Sequence, residues 1–145
     1  MATFTATRAA STFPVAKGPG GGALAVAYGQ LEVSANPVAS DVYEMCRVPK
    51  GAVVVGGWIR SDDLDTHATE TLDPDVGWAA NGVDTADPDG FGNLGVMTTD
   101  TVAGVKPEAG YNFPFGGVLP TDGTKTFGAE TSITVNCVAT AATYA

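Results

Sequence analysis

Few side chains in this sequence are suited to chemistry: one histidine, His67, two cysteines, Cys46 and Cys137, and 16 carboxylates against seven basic residues. The cysteines lie far apart, in no CxxC or Cys/His ligand spacing, so a zinc site would have to recruit His67 and a carboxylate from scattered positions. They read instead as small buried apolar side chains in strands, kept reduced, with a Cys46–Cys137 disulfide as the alternative. His67 has no nucleophile to serve, because the sequence has no G-x-S-x-G and nothing beside either cysteine activates a thiolate. Asp62/Asp63 and Asp87/Asp89 are nominal acid–base pairs of the glycosidase kind, yet nothing fixes their separation and no substrate-stacking aromatics accompany them. No catalytic residue is assigned, and the protein is read as a non-enzyme.

Calcium is the sharper possibility. Asp84, Asp87, Asp89 and Asn93, with local carbonyls, are hard oxygen donors of the type calcium takes. An EF-hand does not fit: aligning Gly90 with the obligatory glycine puts Thr85 at the first ligand position and Val96 where the bidentate Glu belongs. The competing reading has these carboxylates capping turns on a solvated loop. No metal or other cofactor is expected, and the Gly18–Gly22 run lacks the GK[ST] of a phosphate loop.

The elements that would position these groups follow from composition. At 145 residues with 44% hydrophobic content, the chain is one domain with a buried core. Its 19 glycines and nine prolines leave little room for long helices. The net charge of −9 excludes phosphate neutralisation, and hence nucleic acid, as the main business of the surface. Residues 51–100 hold ten of the 16 acidic side chains and only Arg60 among the bases, so the imbalance belongs to one third of the chain. No apolar run approaches a membrane span or a signal peptide, and the expectation is a soluble protein made in the cytoplasm, with no membrane partner.

Strand signals recur at short intervals. Residues 23–33 alternate with apolar side chains on both faces, Asp41–Val48 alternates more clearly, and Val48-Pro49-Lys50-Gly51 reads as a turn. The β-branched run over residues 52–59 carries a predicted bulge at Gly56-Gly57. A further strand over 69–80 is broken at Asp73-Pro74. Residues 81–95 read as a long loop with a helical turn near 94–97, and residues 107–120 as irregular. Thr131–Val138 is the last strong strand. Short strands parted by Gly/Pro turns predict an all-β fold, an antiparallel β-sandwich or jelly-roll-like barrel with long loops. Residues 1–22 read as an extended N-terminal arm on a Gly-rich joint, and 23–145 as the β-sandwich body.

The stretches VPKGAVVVGGWIRSDDLD, TLDPDVGWAANG, ADPDGFGNLGV and KTFGAETSITVN resemble small head proteins of tailed bacteriophages, the capsid decoration or cement proteins. The resemblance covers residues 42–138, and its most specific parts are DPDVGW (73–78) and DPDGFGN (87–93). It implies a structural virion protein on the outer capsid surface, bound to the major capsid protein and assembled as a homotrimer. Phe4, Arg8, Phe13 and Lys17 are then the candidate capsid-binding anchors of the arm, and Tyr111, Phe113 and Phe115 the candidate subunit interface. The acidic loops would face solvent or a basic patch of the coat. The alternative is a calcium- or carbohydrate-binding β-sandwich of a phage tail or fibre that contacts the host surface.

Overall fold

In a computed structural model, the structure describes residues 2–15, 17, 24–62, 64–93, 95–96, 111–115 (backbone) and 125–143. Seven strands and no helix are found among them: β1 (Thr3–Thr5), β2 (Val42–Val48), β3 (Gly57–Ser61), β4 (Asp73–Trp78), β5 (Asp87–Asn93), β6 (Tyr111–Phe115) and β7 (Thr131–Ala139). They form a five-stranded sheet in the order β1-β2-β7-β4-β5 and a two-stranded ribbon of β3 and β6. Every pairing is antiparallel except β1 with β2, which run parallel, so the larger sheet is mixed rather than wholly antiparallel.

β2 and β7 form where alternation is cleanest. Residues paired across a ladder share a face, and the register puts Tyr43 opposite Val135, Cys46 opposite Ile133 and Val48 opposite Thr131. Simple alternation separates Tyr43 from Cys46. A bulge between Glu44 and Cys46 absorbs one residue and brings both to the same face. β4 adds Pro74, Val76 and Trp78 to that face, opposite Cys137, Val135 and Ile133. The reverse face carries Glu44, Arg47, Ser132, Thr134, Asn136 and Asp75.

The apolar face is covered by chain outside the sheet. One buried cluster joins Tyr43, Leu72, Cys137 and Ala141, with Leu31, Val33 and Ile59 laid against it. The other joins Cys46, Val76, Trp78, Phe91, Phe127 and Ile133, with Ala27, Ala52 and Val54 over it. Within it the rings of Trp78, Phe91 and Phe127 meet edge to face at 5.0 to 6.3 Å, a favoured aromatic geometry. Burying Phe127 at 1% exposure contributes on the order of 2 kcal/mol.

Several local expectations change. Residues 24–33 are not a strand; they pass over the core and approach β2 so closely at Gly29 that a Cβ there would stand 1.8 Å from the Met45 carbonyl oxygen. The expected break at Asp73-Pro74 lies inside β4, at its first residues, where a register shift lets proline go without a ladder donor. The expected loop holds β5, an edge strand, which is where a sheet tolerates a proline such as Pro88. Residues 94 and 97, which bound the expected helical turn, lie outside the described residues.

Candidate functional site

The N-terminal segment lies on the body. Ala2 N donates to Asp41 Oδ1 at 2.8 Å, Val42 N to Ala2 O at 2.9 Å and Ala6 N to Glu44 O at 2.9 Å, which continues the sheet through β1. Phe4 stacks on Tyr43 with ring centroids 5.0 Å apart, and Ala6 and Ala9 are buried. Residues 2–13 are therefore docked against β2 rather than extended from it.

Two of the four anchor residues come together. The Arg8 guanidinium lies 3.7 Å above the Tyr28 ring centroid and 4.8 Å from that of Phe13, and its Nη2 donates to the Tyr28 hydroxyl. Arg47 joins them, with Nη2 donating to Phe13 O at 2.5 Å and Nη1 paired with Glu130 at 2.7 Å. Arg8, Phe13, Pro14, Val26, Tyr28 and Arg47 line a concavity of about 50 Å³. Phe4 is apart from it on β1, and Lys17 is exposed. The hollow is walled by aromatic rings and by two guanidiniums already engaged within the protein, Arg8 by Tyr28 and Arg47 by Glu130 and Phe13 O. Tyr28 and Arg47 carry no motif, and their pairing with the arm arises only from tertiary packing.

For the expected subunit interface, the β6 backbone pairs with β3 from Gly57–Phe115 to Ser61–Tyr111. The side chains of Tyr111, Phe113 and Phe115 lie outside the described residues.

The acidic region is not one solvated surface. Asp65 is 2% exposed, and its carboxylate accepts from Thr71 N (2.8 Å), Leu72 N (3.1 Å), Ala142 N (2.9 Å) and Thr143 N (3.0 Å). Burial alone would raise its pKa, but these amides outweigh it and hold the carboxyl at about 2. Asp75 is buried as well, at 5% exposure.

Asp84 turns to Lys125 Nζ at 2.6 Å, Asn81 Nδ2 at 2.8 Å and Gly128 N at 2.8 Å, and the Lys125 bond first among these holds it at about 2. Asp87 is raised, by desolvation first and then by the Asp89 side chain beside it. Asn93 Oδ1 accepts from Gly95 N at 2.9 Å. The four candidate calcium ligands thus divide, and among the described residues no three His, Cys, Asp or Glu side chains converge on a metal-sized site.

The other reactive groups are internal. Thr69 N donates to His67 Nδ1 at 3.0 Å within the loop that carries both. Both cysteines are free and buried, Cys46 in the aromatic cluster and Cys137 in the Tyr43 cluster, so no disulfide joins them. Burial pushes the Cys46 thiol up to about 11 and, with Asp41 and Asp73 adding to it, the Cys137 thiol to about 12.

The architecture defines the class first: an all-β fold of β-sandwich type with irregular chain over one face. No family model matches the chain, and no curated protein matches it. A solved structure titled "Capsid of Ralstonia phage GP4" contains a chain of similar fold, with a TM-score of 0.74 over 99% of this chain and 89% of that one. The two are 21% identical, and their likeness is one of fold.

Proposed function

We propose that this protein is a non-enzymatic structural component of a tailed-phage virion, bound to the major capsid protein on the outside of the shell and assembled as a homotrimer. The observation that carries the reading is the fold likeness to a phage capsid chain over nearly the whole length of this one. The chemistry agrees, since His67 is engaged by its own loop and both thiols are buried with raised pKa values. In this reading the docked segment with Phe4, Arg8, Phe13 and Lys17 faces the coat protein, and the β3–β6 ribbon with Tyr111, Phe113 and Phe115 lies between subunits. Binding only to the assembled lattice stabilises that lattice by mass action.

The test is co-sedimentation of the full chain with purified shells that lack it. The expected result is saturable binding, weakened at least tenfold by Arg8→Glu with Lys17→Glu. Absence of binding to shells, with calcium or a glycan bound instead, would replace this reading with that of a tail or fibre module.

A further inference from the structure

Between residues 24 and 58 a group of large apolar side chains is open to solvent: Leu24 and Val26 at 79%, Trp58 at 72%, Val55 at 61%, Tyr28 at 56% and Val53 at 40%. Their arrangement follows from what lies beneath them. Ala27, Ala52 and Val54 pack on the same buried cluster, and burial alternates along both segments, so that Val26, Tyr28, Val53 and Val55 are exposed on the side away from that cluster. Trp58 continues the surface on β3, where its neighbour Ile59 turns inward.

Size and charge identify what covers this face. Six such side chains expose roughly 600 Å², at the upper end of the largest patch on an ordinary monomer and close to the ~800 Å² that one partner gives to a stable interface. No charged side chain occurs in residues 18–31 or 51–59, in a chain whose net charge is −9. The charge that does lie against the face is basic, the Arg8 guanidinium stacked on Tyr28, so two copies, which repel wherever their acidic loops meet, can approach here without that cost. We infer that the face formed by Val26, Tyr28, Val53, Val55 and Trp58 is the surface through which copies of this chain associate. The inference deepens the oligomeric part of the proposed function and moves the centre of the contact onto the layer beside β3. It does not require the shell.

Sedimentation equilibrium on the full chain tests it. The expected result is an oligomer of the 14.6 kDa chain, reduced to the monomer mass by Val26→Asp with Val55→Asp and unaltered by Val138→Asp, an exposed valine on β7 outside the face. Circular dichroism checks folding, and Trp58→Asp replaces the double variant if that variant unfolds. A wild-type monomer at every concentration overturns the inference and assigns the face to another protein. So does a charged variant that keeps the oligomer, or equal dissociation by Val138→Asp. An oligomer that ignores shells keeps this inference and removes the capsid reading.

Discussion

The backbone of Gly90 lies against the rim of the Trp78 indole: a Cβ at position 90 would stand 2.1 Å from Cζ3 and 2.3 Å from Cη2. The two residues belong to DPDGFGN and DPDVGW, so the most specific stretches of the sequence meet in one contact between β5 and β4. Gly77, in the second of them, is as confined, with the Asp87 carbonyl oxygen 1.9 Å from where its Cβ would be.

Gly90→Ala must move the ring at the centre of the aromatic cluster, a loss of about 1–3 kcal/mol of the kind overpacking causes. Gly77→Ala meets backbone, which cannot rotate aside, and is expected at the top of that range or above. Gly82→Ala, at a φ of 85° with nothing near its Cβ, carries only the left-handed backbone cost of ~1 kcal/mol. Urea unfolding followed by tryptophan fluorescence gives the order; a Gly82 variant less stable than the Gly90 variant would contradict it.

Asp65 predicts an acid-sensitive fold. Its folded pKa of about 2 lies below the ordinary value of 3.8, so the unfolded chain takes up the proton first as pH falls. The stabilisation is complete above about pH 4 and is lost as pH drops toward 2. Asp65→Asn turns an amide NH2 toward backbone donors and should cost about 3 kcal/mol at neutral pH. Unfolding midpoints measured from pH 2 to 6 should show the wild-type advantage over the variant shrinking across the acid window. A constant difference would mean that the carboxylate is not the source.

Lys125 acts first on the titration of Asp84, and Asp89 adds to burial in raising that of Asp87. Lys125→Met should return the Asp84 carboxyl upward toward the ordinary carboxylate value, and Asp89→Asn should bring Asp87 down, both readable from carboxyl carbon shifts in an NMR titration. Since Asp84 is held by lysine rather than directed at Asp87 and Asp89, neither calcium nor a chelator is expected to move the thermal midpoint. A calcium-dependent rise in Tm would restore the cation site.

The thiols should be silent in the folded protein. With both buried and their pKa values at about 11 and 12, a disulfide-exchange reagent at pH 8 finds almost no thiolate. Ellman's reagent should count none in buffer and two in urea. Rapid reaction in buffer would show that a core cluster opens readily.

Much of this arrangement is legible in the chain. β2 and β7 follow from alternation, and the all-β class from glycine and proline. β4 follows only in part, since the strand expected over residues 69–80 breaks where β4 begins, and β5 does not follow, because Asp-Pro and glycine are turn signals wherever tertiary contacts are unknown. Here those glycines answer to a ring and a carbonyl that belong to the neighbouring strand. The exposed alternation of Leu24, Val26 and Tyr28 reads as a strand by period alone, although it joins no ladder among the described residues. Asp65 is indistinguishable from its acidic neighbours by type, and only the return of residues 142–143 to the 71–72 loop sets it apart.

The position of β7 governs the order of events during synthesis. Asn136 has Val42 on one side and Asp75 on the other, so the last strand to be made is the middle of the sheet. While the ribosome is still producing residues before 131, β2 has no antiparallel partner and β4 is joined only to β5. The sheet therefore closes after translation has passed its final strand, through long loops whose closure is entropically slow.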